Sequence, residues 1–595
     1  MTNRVLVLIL CVALNDFIAG AQTIQEGKAH FFAQRFQLAN TVFQQLLKNN
    51  PADAEALYWG GQSAISLELD SASKPAVARA WYAKALQTAA ASPIVQVGAG
   101  QADLYENKLN EARQKFEFAL TQTRTRKGDN ADILIAIARA NIDAPFHELE
   151  TIIAKINMQL EKGEKNAELY LMQGDAIRKA RPGEGGGEAF RNYQEALKLN
   201  PGYALASYRL ARLFDSQKNW EMVYQYLNEC VQKDPSFTPA YYELFYYYFY
   251  RRDFSTAEEQ LKKFIATKQR QKNFQDEFLY AQLCWARGDF DCAITKAESV
   301  FAALEDNTKP RVFRLLSDAY FQVGDTLQKQ GNTDGASTSF ANAKKYSDRF
   351  FGKTGEESDA VILYDYQLRA DILDKTGGTP EEISATYLRA TRVDTLYNLK
   401  VDLLKRGAER FKAKGDSLSR IMEGILLTEV IKIKPTPINR DYFDAGFAFY
   451  QGKDFMHADS IFSIYVTHYP DEPFGYMMQY NIQRAVDTAM EKGAAVPWAI
   501  KYLEILERDT VKNKKTIIGV AGYLAAYNAN ILKDKEKALQ YLRRMLALDP
   551  TNVAIQQNIS VLEKASTNKQ EPTKDTVPSN QPAKPVGNMP KPLKT

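Results

Sequence analysis

Apolar residues along this chain recur three and four positions apart, the spacing of one face of an α-helix. Nowhere do apolar and polar residues alternate as they would in a half-buried strand, so the pattern predicts an all-α protein. The helical segments also end on a common phrase. Pro201 and Pro235 lie 34 residues apart and close "EALKLNP" and "ECVQKDP". Similar endings fall at Pro51, Pro470 and Pro550. Proline suits the position just past a helix because it cannot continue the hydrogen-bond ladder. A period near 34 predicts a repeat array rather than one large core.

The interior of each period carries its own signature. Residues 439–470 place Tyr442, Ala445, Gly446 and Phe449 on one helix and Ala458, Phe462 and Tyr465 on the next, before Pro470. Small residues at Gly446 and Ala458 let two antiparallel helices approach, and the rings fill the space around that contact. The same phase recurs at Gly27, Ala39 and Phe43, at Gly100, Ala112 and Phe116, at Gly174, Ala189 and Tyr193, and at Ala526, Ala538 and Leu542. Weaker copies are Ala78 with Tyr82, Ala257 with Leu261, Ala293 with Ala297, and Ala336 with Phe340. This pattern resembles the tetratricopeptide repeat (TPR), a helix-turn-helix unit with one small residue near the middle of each helix. The resemblance implies a right-handed α-solenoid of about a dozen helix pairs with a concave groove. Residues 127–162 and 398–434 are helical in pattern but match the repeat poorly. Pro435 and Pro437 disfavour helix, so the expectation is a repeat array over 22–434, a bend or subdomain boundary there, and C-terminal repeats over 435–565.

Phase also sorts the aromatics. Eight of the ten residues 241–250 are aromatic. Tyr241, Phe245 and Tyr248 take core positions. Tyr242, Tyr246, Phe249 and Tyr250 point to the side that lines the groove in TPR proteins. Neighbouring repeats are expected to add Tyr208 and Arg212 on one side and Phe278, Trp285, Arg314 and Phe321 on the other. Rigid rings with occasional arginines suit an extended peptide or a helix. Packing against the next repeat is the competing explanation. A second patch in the same phase is Phe443, Phe447 and Tyr450.

Composition narrows the picture. The 595 residues carry 76 basic and 72 acidic side chains, a formal net charge of +4, which argues against a general nucleic-acid binder. Residues 1–21 read as a secretory signal peptide, with Arg4, an apolar core too short to span a bilayer, and a small-residue site at Ala19, Gly20 and Ala21. Cys11 follows the bulky Leu10, which disfavours lipidation there. No later segment is apolar enough to span a membrane. Residues 566–595 hold six prolines and five lysines against two acidic residues, and read as a disordered tail of net charge +3. Such a tail solubilises, or tethers the protein to cell wall or another anionic surface. The runs "PAYYELFYYYFYRRDFSTAEEQL" and "DEFLYAQLCWARGDFDCAITKAE" are similar to secreted TPR proteins of Bacteroidota. That resemblance, often to proteins encoded beside TonB-type components, implies a periplasmic or outer-envelope role.

Candidate chemistry is sparse. Cys230 falls at a small buried helix position. Cys284 and Cys292 flank the turn "WARGDFD" and are either disulfide-bonded, in an oxidising periplasm, or two buried thiols. Three thiols without a nearby histidine do not suggest a metal site. His30 takes a core aromatic position, and His457 and His468 are eleven residues apart, too far for a two-ligand grip. His147 stands alone. "GKT" at Gly352, Lys353 and Thr354 lacks the earlier glycine of a phosphate loop, where Ser347 stands, and "RPGEGGGEAF" reads as an enlarged turn. No catalytic residue, cofactor site or metal site is expected. The leading expectation is a non-enzymatic protein-interaction scaffold of the cell envelope, binding other envelope proteins through the aromatic groove. The alternatives are a glycan- or peptidoglycan-binding protein and, least supported, a helical-toroid hydrolase.

Overall fold

A computed structural model describes residues 23–68, 70–268, 274–355, 361–393 and 395–567. The expected signal peptide at 1–21 and the tail beyond residue 567 lie outside them. Among the described residues there is no β-strand. Consecutive helices pack as antiparallel pairs, a TPR-like architecture.

The chain divides into two compact units, 1–323 and 324–595. The first begins with α1 (Ile24–Phe32), α2 (Phe36–Asn49), α3 (Ala54–Leu67), α4 (Lys74–Ala89), α5 (Pro93–Tyr105) and α6 (Leu109–Thr123). It continues with α7 (Ala131–Asp143), α8 (Leu149–Glu161), α9 (Ala167–Ala180), α10 (Gly186–Leu199), α11 (Ala204–Ser216) and α12 (Trp220–Lys233). Then come α13 (Thr238–Tyr250), α14 (Phe254–Lys268), α15 (Phe274–Arg287), α16 (Phe290–Leu304) and α17 (Pro310–Lys329), within which the division falls. The second unit runs through α18 (Thr333–Thr354), α19 (Leu363–Lys375), α20 (Pro380–Ala390), α21 (Tyr397–Lys414) and α22 (Ser417–Ile433). It ends with α23 (Asn439–Gln451), α24 (Phe455–His468), α25 (Pro473–Val486), α26 (Val496–Leu506), α27 (Thr510–Tyr527), α28 (Lys535–Leu548) and α29 (Val553–Thr567).

Four pairs show the small-residue contact that the pattern predicts. A Cβ placed on Gly27 would lie 2.5 Å from Phe43, one on Gly100 2.5 Å from Phe116, and one on Gly174 2.5 Å from Tyr193. In the second unit Gly446 meets Phe462 in the same way, at 2.6 Å. The ring of the second helix therefore fills the place where the first helix lacks a side chain. The turns within pairs repeat as well. Lys218, Arg252, Gly288, Gly331 and Lys453 all have φ between 57° and 81°. The next residue then caps the second helix. Asn219, Asp289, Asn332 and Asp454 each accept a hydrogen bond from a backbone N–H three positions on. Glycine serves at two of these turns because it enters the left-handed region without strain.

The poorly matching stretches also form pairs, α7 with α8 and α21 with α22; Gly407 of α21 packs close to Leu426 of α22. Pro435 and Pro437 lie in the short loop joining α22 to α23. Across that loop Gly424 fits against Phe449, and Ser417 Oγ donates to the carbonyl of Gly452 at 2.7 Å. The unit division therefore falls at 323/324, and the proline loop connects packed helices inside the second unit. The "GKT" triplet lies in α18, and "RPGEGGG" forms the turn into α10.

Candidate inner face of the first unit

The odd-numbered helices of the first unit share one side. Side chains of α1, α3, α5, α7, α9 and α11 line a single cavity of about 250 Å³. The turn that holds them together also closes: Arg35, between α1 and α2, donates from Nη2 to Ser236 Oγ at 2.9 Å, 201 residues away. A second opening of about 390 Å³ shares Gln34, Ile142, Asp175 and Arg209 with the first, and adds Arg178, Lys179, Tyr208 and Arg212.

The predicted aromatic row continues along the same odd-numbered helices. Arg212 Nη1 on α11 donates to Glu243 on α13 at 2.7 Å. Tyr246 on α13 donates through its hydroxyl to Gln282 on α15 at 3.3 Å. Trp285 Nε1 on α15 donates to Asp318 on α17 at 2.9 Å. Tyr242, Tyr246, Phe249 and Tyr250 form one ring cluster on α13, with centroids 5.0 Å apart for the first two and 5.9 Å for Tyr246 and Tyr250. Tyr250 is 77% exposed and Trp285 38%. Arg314 and Phe321 are half-buried on α17.

Other rings sit differently from expectation. Phe278 is only 3% exposed, with the Arg311 guanidinium 5.0 Å above its ring, so it is a packing residue rather than a groove ring. Tyr208 is buried against Phe237, and burial pushes its hydroxyl up to about 12. It still lines the second opening. Tyr248, expected in the core, is half-buried and hydrogen-bonds Tyr224 of α12 at 3.1 Å. His30 is only partly buried. Cys230 is fully buried, and burial raises its thiol pKa. Cys284 and Cys292 are joined as a disulfide tying α15 to α16, with Cα atoms 5.7 Å apart. In the second unit Phe443 stacks on Phe447 at 5.5 Å and Tyr450 follows at 6.4 Å from Phe447, all three half-buried.

The cavity residues were not foreseen from the sequence. Arg139 is 5% exposed, with its guanidinium 4.7 Å from the Trp59 ring, 5.1 Å from Phe32 and 5.9 Å from Phe31. Its Nη2 donates to Glu168 at 2.7 Å, while its buried Nη1 has no partner among the described residues. Arg209 donates from Nε to Asp175 at 2.8 Å, and Tyr193 donates to the other oxygen of that carboxylate at 2.7 Å. Lys179 Nζ caps the end of α7 by donating to the carbonyls of Asn141, Ile142 and Ala144. One turn on from Arg139, Asp143 is reached by water in the hollow but ringed by protein. Burial raises its carboxyl pKa, Arg139, Arg209 and Lys179 oppose that rise, and Asp175 adds to it. The sequence signal was a lone arginine inside the apolar run "ILIAIARA", too short a motif to single out. Among the described residues no cluster of His, Cys, Asp or Glu could hold a metal ion, and no helix is long and apolar enough to cross a membrane.

Residues 24–93 match the family profile described as tetratricopeptide repeat. Similar solved structures include the C-terminal part of a TPR repeat-containing protein from Cytophaga hutchinsonii. It is 22% identical, covers 48% of this chain and 98% of its own, and has a TM-score of 0.24. A TPR protein from Parabacteroides merdae is 16% identical over 52% of this chain and 98% of its own, with a TM-score of 0.32. YrrB, titled a TPR protein with an unusual peptide-binding site, is 20% identical over 32% of this chain and 92% of its own, with a TM-score of 0.19. Among curated proteins none matches this chain.

Proposed function

We propose that this protein is a non-enzymatic interaction scaffold of the cell envelope that grips an extended segment of a partner protein along α11, α13, α15 and α17. One observation carries the reading. Hydrogen bonds from Arg212, Tyr246 and Trp285 run from each odd-numbered helix to the next, so the row is rigid before any partner arrives. Rigid rings lose little entropy on binding, and Tyr250 and Trp285 keep exposed apolar area for a partner to cover. The disulfide between Cys284 and Cys292 supports an oxidising compartment such as the periplasm. The basic tail at 566–595 is then a tether to anionic surface, with the partner proteins held by the repeats.

The test is site-specific photocrosslinking in cells. A photoreactive residue at Tyr250 is expected to trap a discrete protein partner, whereas one at Tyr224, which faces α13 from α12, traps none. The double substitution of Tyr246→Ala and Trp285→Ala should abolish that product while circular dichroism stays helical. Equal crosslinking from both positions, or an unchanged product in the double variant, overturns the groove.

A further inference from the structure

We propose that the partly open cavity between α1, α3, α5, α7, α9 and α11 is a binding site for a neutral saccharide, separate from the aromatic row. Its volume of about 250 Å³ equals the space of roughly eight waters in the liquid, the scale of a single sugar ring. The walls offer the two things a vicinal diol needs. Arg139 is buried and leaves Nη1 without an acceptor, and Arg209 spends only Nε on Asp175. Arg209 therefore presents spare donors to the hollow, while the unpartnered Nη1 of Arg139 lies buried in the wall. Asp143 presents a carboxylate that no hydrogen bond or ion pair holds among the described residues. Hydroxyl groups both accept and donate, so one diol satisfies Arg209 and Asp143 together. Phe31 and Phe32, half-buried at the same wall, give an apolar face for the ring carbons.

Charge selects a neutral ligand. The guanidinium of Arg139 is already compensated by Glu168 and that of Arg209 by Asp175. A carboxylate or phosphate entering here would displace those partners and face Asp143 and Asp175. An ammonium drawn to Asp143 would face Arg139, Arg209 and Lys179. A polyhydroxyl ligand meets neither opposition, and it supplies the hydrogen bonds whose absence is costly for buried polar groups.

The experiment uses the full chain, with saturation-transfer NMR and calorimetry against D-glucose, D-galactose and N-acetyl-D-glucosamine at millimolar concentration. Acetate, glycine and inorganic phosphate serve as charged probes. At least one sugar is expected to bind, and Asp143→Ala should weaken it tenfold or more. Asp143 holds no structural partner, so the variant should melt no lower than the wild type. Tyr246→Ala should leave sugar binding unchanged, which keeps this site distinct from the scaffold row. Failure of all three sugars, a charged probe binding in their place, insensitivity to Asp143→Ala, or loss of sugar binding in Tyr246→Ala would each overturn the proposal.

Discussion

The inner face of the first unit carries two chemistries on one scaffold. On α7, α9 and α11 the odd-numbered helices turn charged side chains inward: Arg139, Asp143, Asp175 and Arg209. From α11 to α17 the same row of helices carries rings: Tyr246, Phe249, Tyr250 and Trp285. The locking contacts beneath are alike, a glycine or alanine against the partner helix. The backbone repeat therefore does not set what the face presents. In the charged half Arg139 and Arg209 each pair with a carboxylate on a neighbouring helix, Asp143 does not, and together they line a partly open hollow. In the aromatic half the hydrogen bonds also run between helices, but Tyr250 and Trp285 stay exposed. The first half suits a small ligand that fits between walls, and the second suits a chain laid across an open surface.

The largest expected effect separates rings that hold the fold from rings that face outward. Phe278→Ala removes a ring that is 3% exposed and should destabilise the protein by about 3–5 kcal/mol in chemical denaturation. Tyr250→Ala removes a ring that is 77% exposed and should shift stability by no more than about 0.5 kcal/mol. Similar losses for the two would erase the distinction between core and groove within the aromatic half.

A middle effect tests the charged half. Arg139→Met keeps an apolar stem under Phe32 and Trp59 but removes the guanidinium and leaves Glu168 unpaired. Because Glu168 retains 23% side-chain exposure, the loss should fall below that of a fully buried pair, at about 2 kcal/mol. The unfolding midpoint in urea measures it. A variant more stable than wild type would mean that Arg139 is kept for binding at a cost to the fold.

Much of the fold was legible because it follows from spacing. Gly100 with Phe116, Gly174 with Tyr193 and Gly446 with Phe462 meet as the period predicts. The groove was legible only in part. Helical phase places a residue on a side, but whether that side is solvent or the neighbouring repeat depends on packing between pairs. Phe278 and Trp285 occupy the same helix face two turns apart; Arg311 covers one, and the other stays 38% exposed. The cavity was not legible, because Phe31 and Phe32 of α1 reach Arg139 of α7 only when the turn closes. That closure includes the contact of Arg35 with Ser236, which no local pattern encodes. The division at 323/324 was hidden for a similar reason: it falls inside the continuous helix α17, where no proline or glycine run marks it.

The smallest effect concerns Asp143, and its sign is informative. Burial raises the folded-state pKa of this carboxyl above the ordinary 3.8, partly offset by Arg139, Arg209 and Lys179. The folded protein therefore holds the Asp143 proton more tightly than the unfolded chain does. Below pH 3.8 both states are protonated and the residue costs the fold nothing. As pH rises through the raised folded pKa, folding must keep a charge that is less well solvated than in the open chain, and stability falls. Asp143→Asn removes that slope while keeping the shape. At neutral pH the variant should melt slightly above wild type, and the difference should vanish as pH approaches 3.8, as read by thermal unfolding across pH. A saccharide that donates hydroxyls to Asp143 stabilises the charged form, so a saturating sugar should shrink the neutral-pH gap between the two proteins. A gap of the opposite sign, with the variant less stable at neutral pH, would mean that the cationic wall governs Asp143 and that its carboxylate is a structural ion-pair partner. In that case the two halves of the inner face differ in composition but not in readiness to bind.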